Sequence, residues 1–278
     1  GLAAYDLATG ALRSDFDPAP DGQVNTVKSS ANGQAVFVGG EFNNIGGESH
    51  KAIAKIDMSA GLNVPGFSAS ASSFVKDMAV RTDGTTVYVG GNFDQFNGVP
   101  TSRLLAMDAT TGAILPSFSL PLTEPTNDYS EGGLRAMALS PDETRLMVIG
   151  NFRKIGGVER PLIAQIDVSG PAATVTDWHT DLYDQPCARS GKIGFMRDVD
   201  ISPDGQRLYS VSAGHFYYPA CDSLNAWSMT PSGGNQQPLW TKKIGDTQEG
   251  VAADQDAVYL SGHFRYLETE TRTQPRFQ

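Results

Sequence analysis

The sequence predicts an all-β chain, a β-propeller of four-stranded antiparallel blades, on three observations. A short phrase recurs five times, each copy is followed by regular strand and turn signals, and the last copy is divided between the two chain ends. The phrase is a hydrophobic pair, a small residue or two, then Gly-x-Phe: VFVGGEF ending at Phe42, VYVGGNF at Phe93, VIGNF at Phe152, VSAGHF at Phe216 and VYLSGHF at Phe264. Successive Phe positions differ by 51, 59, 64 and 48 residues, and the step from Phe264 round the joined ends to Phe42 is 56. A repeat of this period signals a unit that buries its faces only by stacking on its neighbours.

The second repeat shows the unit strand by strand. Phe74–Val80 reads as a first strand, and Arg81-Thr82-Asp83-Gly84 as a tight turn whose Asp-Gly supplies positive φ. TVYVGG, β-branched and aromatic, is a second strand. FDQFNGVPTS reads as a connection, Leu104–Asp108 as a third strand, Ala109-Thr110-Thr111-Gly112 as a turn, and ILPSF as a fourth strand closing at Phe118.

The other repeats keep this grammar. The first turn becomes Ala31-Asn32-Gly33, Pro141-Asp142-Glu143 and Pro203-Asp204-Gly205. The third strand ends at Asp6, Asp57, Asp108 and Asp167, with Ser228 the departure, and the fourth at Phe16, Phe67, Phe118, Trp178 and Trp240. Each Asp-x-x-Thr-Gly is expected to be an Asx-type turn, with calcium as the functional alternative. Residues 1–17 are a third and fourth strand without a first and second, and 246–278 supply the missing pair. The expected organisation is one domain over 1–278, with blades near 23–69, 74–120, 133–180, 195–242, and 246–278 joined to 1–17. Such closure removes open sheet edges. The chain opens on Gly1 without a signal-peptide pattern, as a processed or trimmed product would, and a trimmed piece of a six- or seven-bladed ring is the alternative to five blades.

Bulk properties narrow the partners. Of 278 residues, 40% are hydrophobic and 19% charged, a globular balance. The formal net charge of −10 argues against nucleic acid and anionic membranes. No apolar run approaches the roughly 20 residues of a membrane-spanning helix. Cys187 and Cys221 lie outside any metal-ligand spacing, one before the first strand of the fourth repeat and one after its second. Those two connections leave a blade on one face. A disulfide and an extracytoplasmic location are therefore expected, against the alternative of two free thiols in a cytosolic protein.

The phrase GG-x-F-x-x-[IF]-x-G, followed by an [LI]-A-x-[LIM]-D strand and a TGA-like turn, resembles the repeats of secreted bacterial β-propellers of the delta-60 repeat and WD40/YVTN-like kind, common among actinobacterial exported proteins. The likeness is strongest in Gly39–Phe67, Gly90–Phe118 and Gly150–Asp167. It implies a propeller and export, and it implies no reaction.

Catalytic signatures are missing: there is no G-x-S-x-G, P-loop, G-x-G-x-x-G or H-E-x-x-H. The candidate working face carries the loops that enter the first strands and leave the second. Innermost strands there begin with Asn25, Lys76-Asp77, Arg135, Arg197-Asp198 and Glu249, and a second ring is Glu41, Asn92, Asn151, His215 and His263. Tyr183, Tyr217, Tyr218 and Tyr266 gather on the same face. With Arg135 and Arg197 they form a mixed-charge funnel suited to a glycan or protein ligand. The alternative is that these polar groups satisfy one another. The expected function is an exported, non-catalytic binding or scaffolding module without a metal or cofactor. A glycan-active enzyme is the rival, with Asp77, Asp198 and Glu249 as acid/base candidates. Carboxyls locked to Arg135 and Arg197 would favour the binder.

Overall fold

A computed structural model describes residues 1–124, 133–185, 187, 194–214, 221–230, 234–245 and 247–264. They fall into two compact units, Gly1–Ser119 and Leu120–Gln278. Among the described residues the only helix is a single 3-10 turn, Leu182–Asp184, and none is long and apolar enough to cross a membrane.

The first unit holds β1 (Gln23–Ser29), β2 (Ala35–Glu41), β3 (Asn44–Ile45), β4 (Glu48–Ser49), β5 (Ile53–Asp57), β6 (Val75–Val80), β7 (Thr86–Gly91), β8 (Gln95–Phe96), β9 (Val99–Pro100) and β10 (Leu104–Asp108). Sheets β1-β2-β5 and β6-β7-β10 are antiparallel, and their fourth edges shrink to single bridges, Ile56 to Asn63 and Met107 to Ile114. Here the structure corrects the sequence reading. Phe67 and Phe118 do not end a strand; each follows a turn, its N–H donating to Val64 O or Leu115 O, and each is buried. Phe37, Phe67, Val75, Met78 and Phe93 help fill the core between the two sheets. Phe16 fills a second core with Val38, Phe42 and Ile56, and Leu2 and Ala4 pack against it.

The second unit holds β11 (Leu122–Thr123), β12 (Leu134–Leu139), β13 (Arg145–Gly150), β14 (Lys154–Ile155), β15 (Val158–Glu159), β16 (Ile163–Asp167), β17 (Thr174–Val175), β18 (Trp178–His179), β19 (Phe195–Ile201), β20 (Arg207–Ala213), β21 (Ser223–Ser228), β22 (Gly234–Asn235), β23 (Trp240–Lys243), β24 (Gln248–Ala253) and β25 (Val258–Gly262). Sheets β12-β13-β16-β17 and β19-β20-β21-β23 have four strands, and β24-β25 has two. Trp178, Trp227, Met147 and Val199 pack between the four-stranded sheets. Val251, Val211 and Leu224 join the last of these to β24-β25.

The connection from the second strand to the third is itself a small hairpin. Gly46-Gly47, Asn97-Gly98 and Gly156-Gly157 all have positive φ at both positions, the signature of a type I′ turn, between β3 and β4, β8 and β9, and β14 and β15. Ile45, Phe96 and Ile155 are fully buried on the incoming arms, which explains the [IF] of the repeat. In the first turn only the glycine takes positive φ: 67° at Gly33, 71° at Gly84 and 70° at Gly205. Asp83 contributes as an acceptor, its Oδ1 taking the Thr85 N–H at 2.9 Å. Glu143 stands in the glycine's place at φ 56°. Glu143→Gly should therefore raise unfolding free energy by about 1 kcal/mol in a denaturant titration.

The third-strand aspartates form Asx turns. Asp108 Oδ1 accepts the Thr110 and Thr111 N–H groups and the Thr111 hydroxyl, and Asp57 and Asp6 repeat the pattern in their own turns. Among the described residues no group of three or more His, Cys, Asp or Glu gathers as a metal ion would need. The hydroxyls of Thr9, Ser59, Thr111 and Ser169, then the turn amides, lower the pKa values of Asp6, Asp57, Asp108 and Asp167. Their folded pKa values lie below the unfolded value near 3.8, so the stabilisation is complete above it. It is lost as pH falls through the lowered values. Replacing Asp57 and Asp108 by Asn should lower Tm at neutral pH, leave it nearly unchanged in acid, and so flatten the acid limb of a Tm-versus-pH curve.

Candidate functional site

The site begins with a backbone irregularity. The first strand of each repeat skips one residue in pairing with the second strand: Asn25 in β1, Lys76 in β6, Arg135 in β12, Arg197 in β19 and Glu249 in β24. These are β-bulges, which leave one residue outside the ladder and re-aim its side chain. In β6 and β19 the bulge sets two successive polar residues, Lys76-Asp77 and Arg197-Asp198, between buried apolar neighbours. The glycine of the repeat belongs to the same device. A Cβ on Gly40, Gly91 or Gly150 would collide with the carbonyl oxygen of Gln23, Phe74 or Gly133, which the bulged chain brings across. The sequence places these polar residues at the strand starts without declaring the bulge. The recurrent glycine beside a polar residue on the partner strand is its trace.

In the first unit the bulge residues are engaged locally. Asn25 Nδ2 donates to Val75 O at 2.9 Å, and Lys76 pairs with Glu41 at 2.8 Å while lying 4.9 Å from the Phe74 ring centroid. Asp77 Oδ1 accepts from the Thr26 hydroxyl at 3.0 Å and the Met78 N–H at 2.8 Å, with Lys28 Nζ 3.2 Å away.

In the second unit three bulge residues converge. Glu249 Oε2 lies 3.5 Å from Arg135 Nη2 and 3.8 Å from Arg197 Nη1. Asp198 beside Arg197 faces the neighbouring strand, accepting the Val251 N–H on Oδ2 and the Val199 N–H on Oδ1, both at 2.9 Å. Asp200 takes the Ala253 N–H in the same way at 2.8 Å, so β19 and β24 are stitched through carboxylates. Of the acid/base candidates, Asp77 belongs to the first unit and Asp198 and Glu249 to the second. Each accepts hydrogen bonds or faces cations.

Cys187 and Cys221 are bridged, as expected, with Cα atoms 5.6 Å apart. Tyr183 departs from its expected place on the rim. It is a core residue, its ring 5.8 Å from that of Trp227, and its hydroxyl bonds Ser210 Oγ at 2.9 Å and accepts from Asn225 Nδ2 at 3.0 Å. Burial pushes the phenol pKa up. Tyr183 sits in the 3-10 turn four residues before Cys187, so an aromatic plug and a disulfide anchor this connection together. The polar network around Tyr183, with Ser210, Ser223 and Asn225, has no signature in the repeat phrase. Tyr217, Tyr218, Tyr266 and His215 lie outside the described residues.

No family model matches the chain, and no curated protein matches it. The resemblance to exported bacterial repeat proteins rests on the motif residues alone. Among solved structures, the chain is similar to the β-propeller domain of Cps50 (Swd1) from Myceliophteria thermophila at 10% identity and a TM-score of 0.50. The match covers 85% of this chain and 61% of that one, so the chain spans less than two thirds of its structural neighbour. The antiparallel sheets and this neighbour together assign the chain an all-β, propeller-type fold.

Proposed function

We propose that the protein is an exported, non-catalytic binding or scaffolding module that recognises a glycan or protein through the loop face above its bulged strands. The observation that carries the reading is the Arg135–Glu249–Arg197 cluster. The carboxylate of Glu249 faces two guanidiniums, the arrangement of a charged binding contact. The neighbouring Asp198 is bonded to backbone amides. The disulfide fits an oxidising compartment, and a propeller fold fits a scaffold whose ligands are chosen by loops. Tyr217, Tyr218 and Tyr266 belong to this proposed face. Replacing Tyr217 and Tyr218 by Ala should weaken binding on a glycan array or to a purified partner several-fold with Tm nearly unchanged. Intact affinity, combined with its loss in a turn-face variant such as Asn32→Ala, would place the ligand on the opposite face.

The same reading takes the chain as a single domain of five blades. Residues 1–17 then supply the third and fourth strands of the β24-β25 blade. Two observations support it: Leu2, Ala4 and Phe16 pack on the β1-β2-β5 sheet as a next blade's residues would, and β24-β25 packs on the β19-β20-β21-β23 sheet. By analogy with Tyr88 opposite Ala106, Ala4 should lie opposite Tyr259. An Ala4→Cys, Tyr259→Cys variant should form an intramolecular disulfide on oxidation. Thiols that stay free under oxidant would point to a longer, differently closed ring.

A further inference from the structure

We infer that the Arg135–Glu249–Arg197 cluster is a carboxylate subsite and that its ligand is a uronate-bearing glycan; this rests on the binding-module reading above. Two guanidiniums bring ten N–H donors, and among the described residues the carboxylate facing them presents one oxygen at 3.5 and 3.8 Å, beyond good hydrogen-bond distance. The Nε of Arg197 is buried without an acceptor. Planar forks in this state are suited to bidentate capture of a second carboxylate. Both arginines stand on bulges, held out of the ladder, and both retain exposed surface.

The charge count limits the ligand. Arg135 and Arg197 balance Glu249 and Asp198, so the cluster has no surplus of charge for a phosphate or sulfate array. A single carboxylate entering in place of Glu249 keeps that balance. The sugar is indicated by Phe195. It opens β19 two residues before Arg197 and is 37% exposed. An exposed aromatic residue on the strand that carries a guanidinium suits the C–H face of a pyranose whose ring carries a carboxylate. Glu249 then acts as a built-in competitor, occupying the cations when the ligand is absent.

Calorimetric titration with an oligogalacturonate, its methyl ester and an oligoglutamate peptide tests this. The acid should bind, and its ester should bind at least about tenfold more weakly, because the charge-assisted bonds are lost. Arg135→Gln and Arg197→Gln should each cost the acid a similar factor and leave the ester unaffected, with Tm held as the folding control. Glu249→Gln should tighten the acid several-fold. Equal binding of acid and ester, or weaker binding by Glu249→Gln, overturns the inference. A preference for oligoglutamate assigns the cluster to an acidic protein and overturns the glycan. If neither acid binds while a neutral glycan does, in a manner sensitive to Tyr217 and Tyr218, the subsite fails and the binding module stands. Failure of every ligand class sinks both.

Discussion

Gly91→Ala is expected to destabilise the protein by about 3 kcal/mol, because a methyl group there has nowhere to go. The obstacle is the backbone oxygen of Phe74, which the bulge at Lys76 directs at the site. Gly91 does not adopt positive φ, so the effect is steric rather than conformational. A contrasting glycine separates the two causes. Gly98 has φ 75° and nothing within 4 Å of the place its methyl would take, so Gly98→Ala should cost only about 1 kcal/mol. Urea unfolding of both variants checks the difference. Similar losses at the two positions would mean that the bulge relaxes to admit a side chain.

Removing the disulfide is the second large effect. The bridge closes a loop with a sequence separation of 34, for which the chain-entropy relation gives about 4 kcal/mol. The double variant Cys187→Ser, Cys221→Ser, or the wild type in reductant, should lose most of that in thermal or denaturant unfolding. The native state should change little, because Tyr183 anchors the same connection through Ser210 and Asn225. Intrinsic fluorescence reads this directly, since the Tyr183 ring lies 5.8 Å from Trp227. Lower stability with an unchanged native spectrum is the expected pair of results. Unchanged stability would show that the unfolded chain is already restrained by other means.

What can be read from the sequence follows the range of each interaction. Strand positions and the turns at Gly84 and Gly112 are governed by alternation and local backbone preference, which a single repeat displays. Asx turns are equally local, as the bonds from Thr110 and Thr111 to Asp108 show. The bridge between Cys187 and Cys221 follows from blade geometry once the repeats are aligned. Tyr183 escapes such reading because its neighbours, Ser210, Asn225 and Trp227, are 27 to 44 positions away in the chain. A tyrosine in a long polar connection resembles a surface residue until those partners are assembled. The fourth strands of the first two sheets mislead for a related reason. Phe67 and Phe118 are selected for the cavities they fill, and apolar plugging looks like strand propensity when read along one dimension.

The bulges also bear on how such a chain changes over time. A ladder residue is constrained by two partners and a packing face, so most substitutions there are felt by the fold. The bulged residue has no pairing partner in the register, and its counterparts here are Asn25, Lys76, Arg135, Arg197 and Glu249: one amide, three cations and one anion. That diversity at one structural address marks a position where mutation is nearly free of folding consequence. The constraint falls instead on the glycine paired with the residue before the bulge, Gly40, Gly91 and Gly150, where a side chain would strike the bulged strand's backbone. A library randomised at residues 76, 135 and 197 should accordingly yield mostly folded members with altered ligand preference. In this protein the freedom to vary is set by a backbone defect that recurs at Asn25, Lys76, Arg135, Arg197 and Glu249.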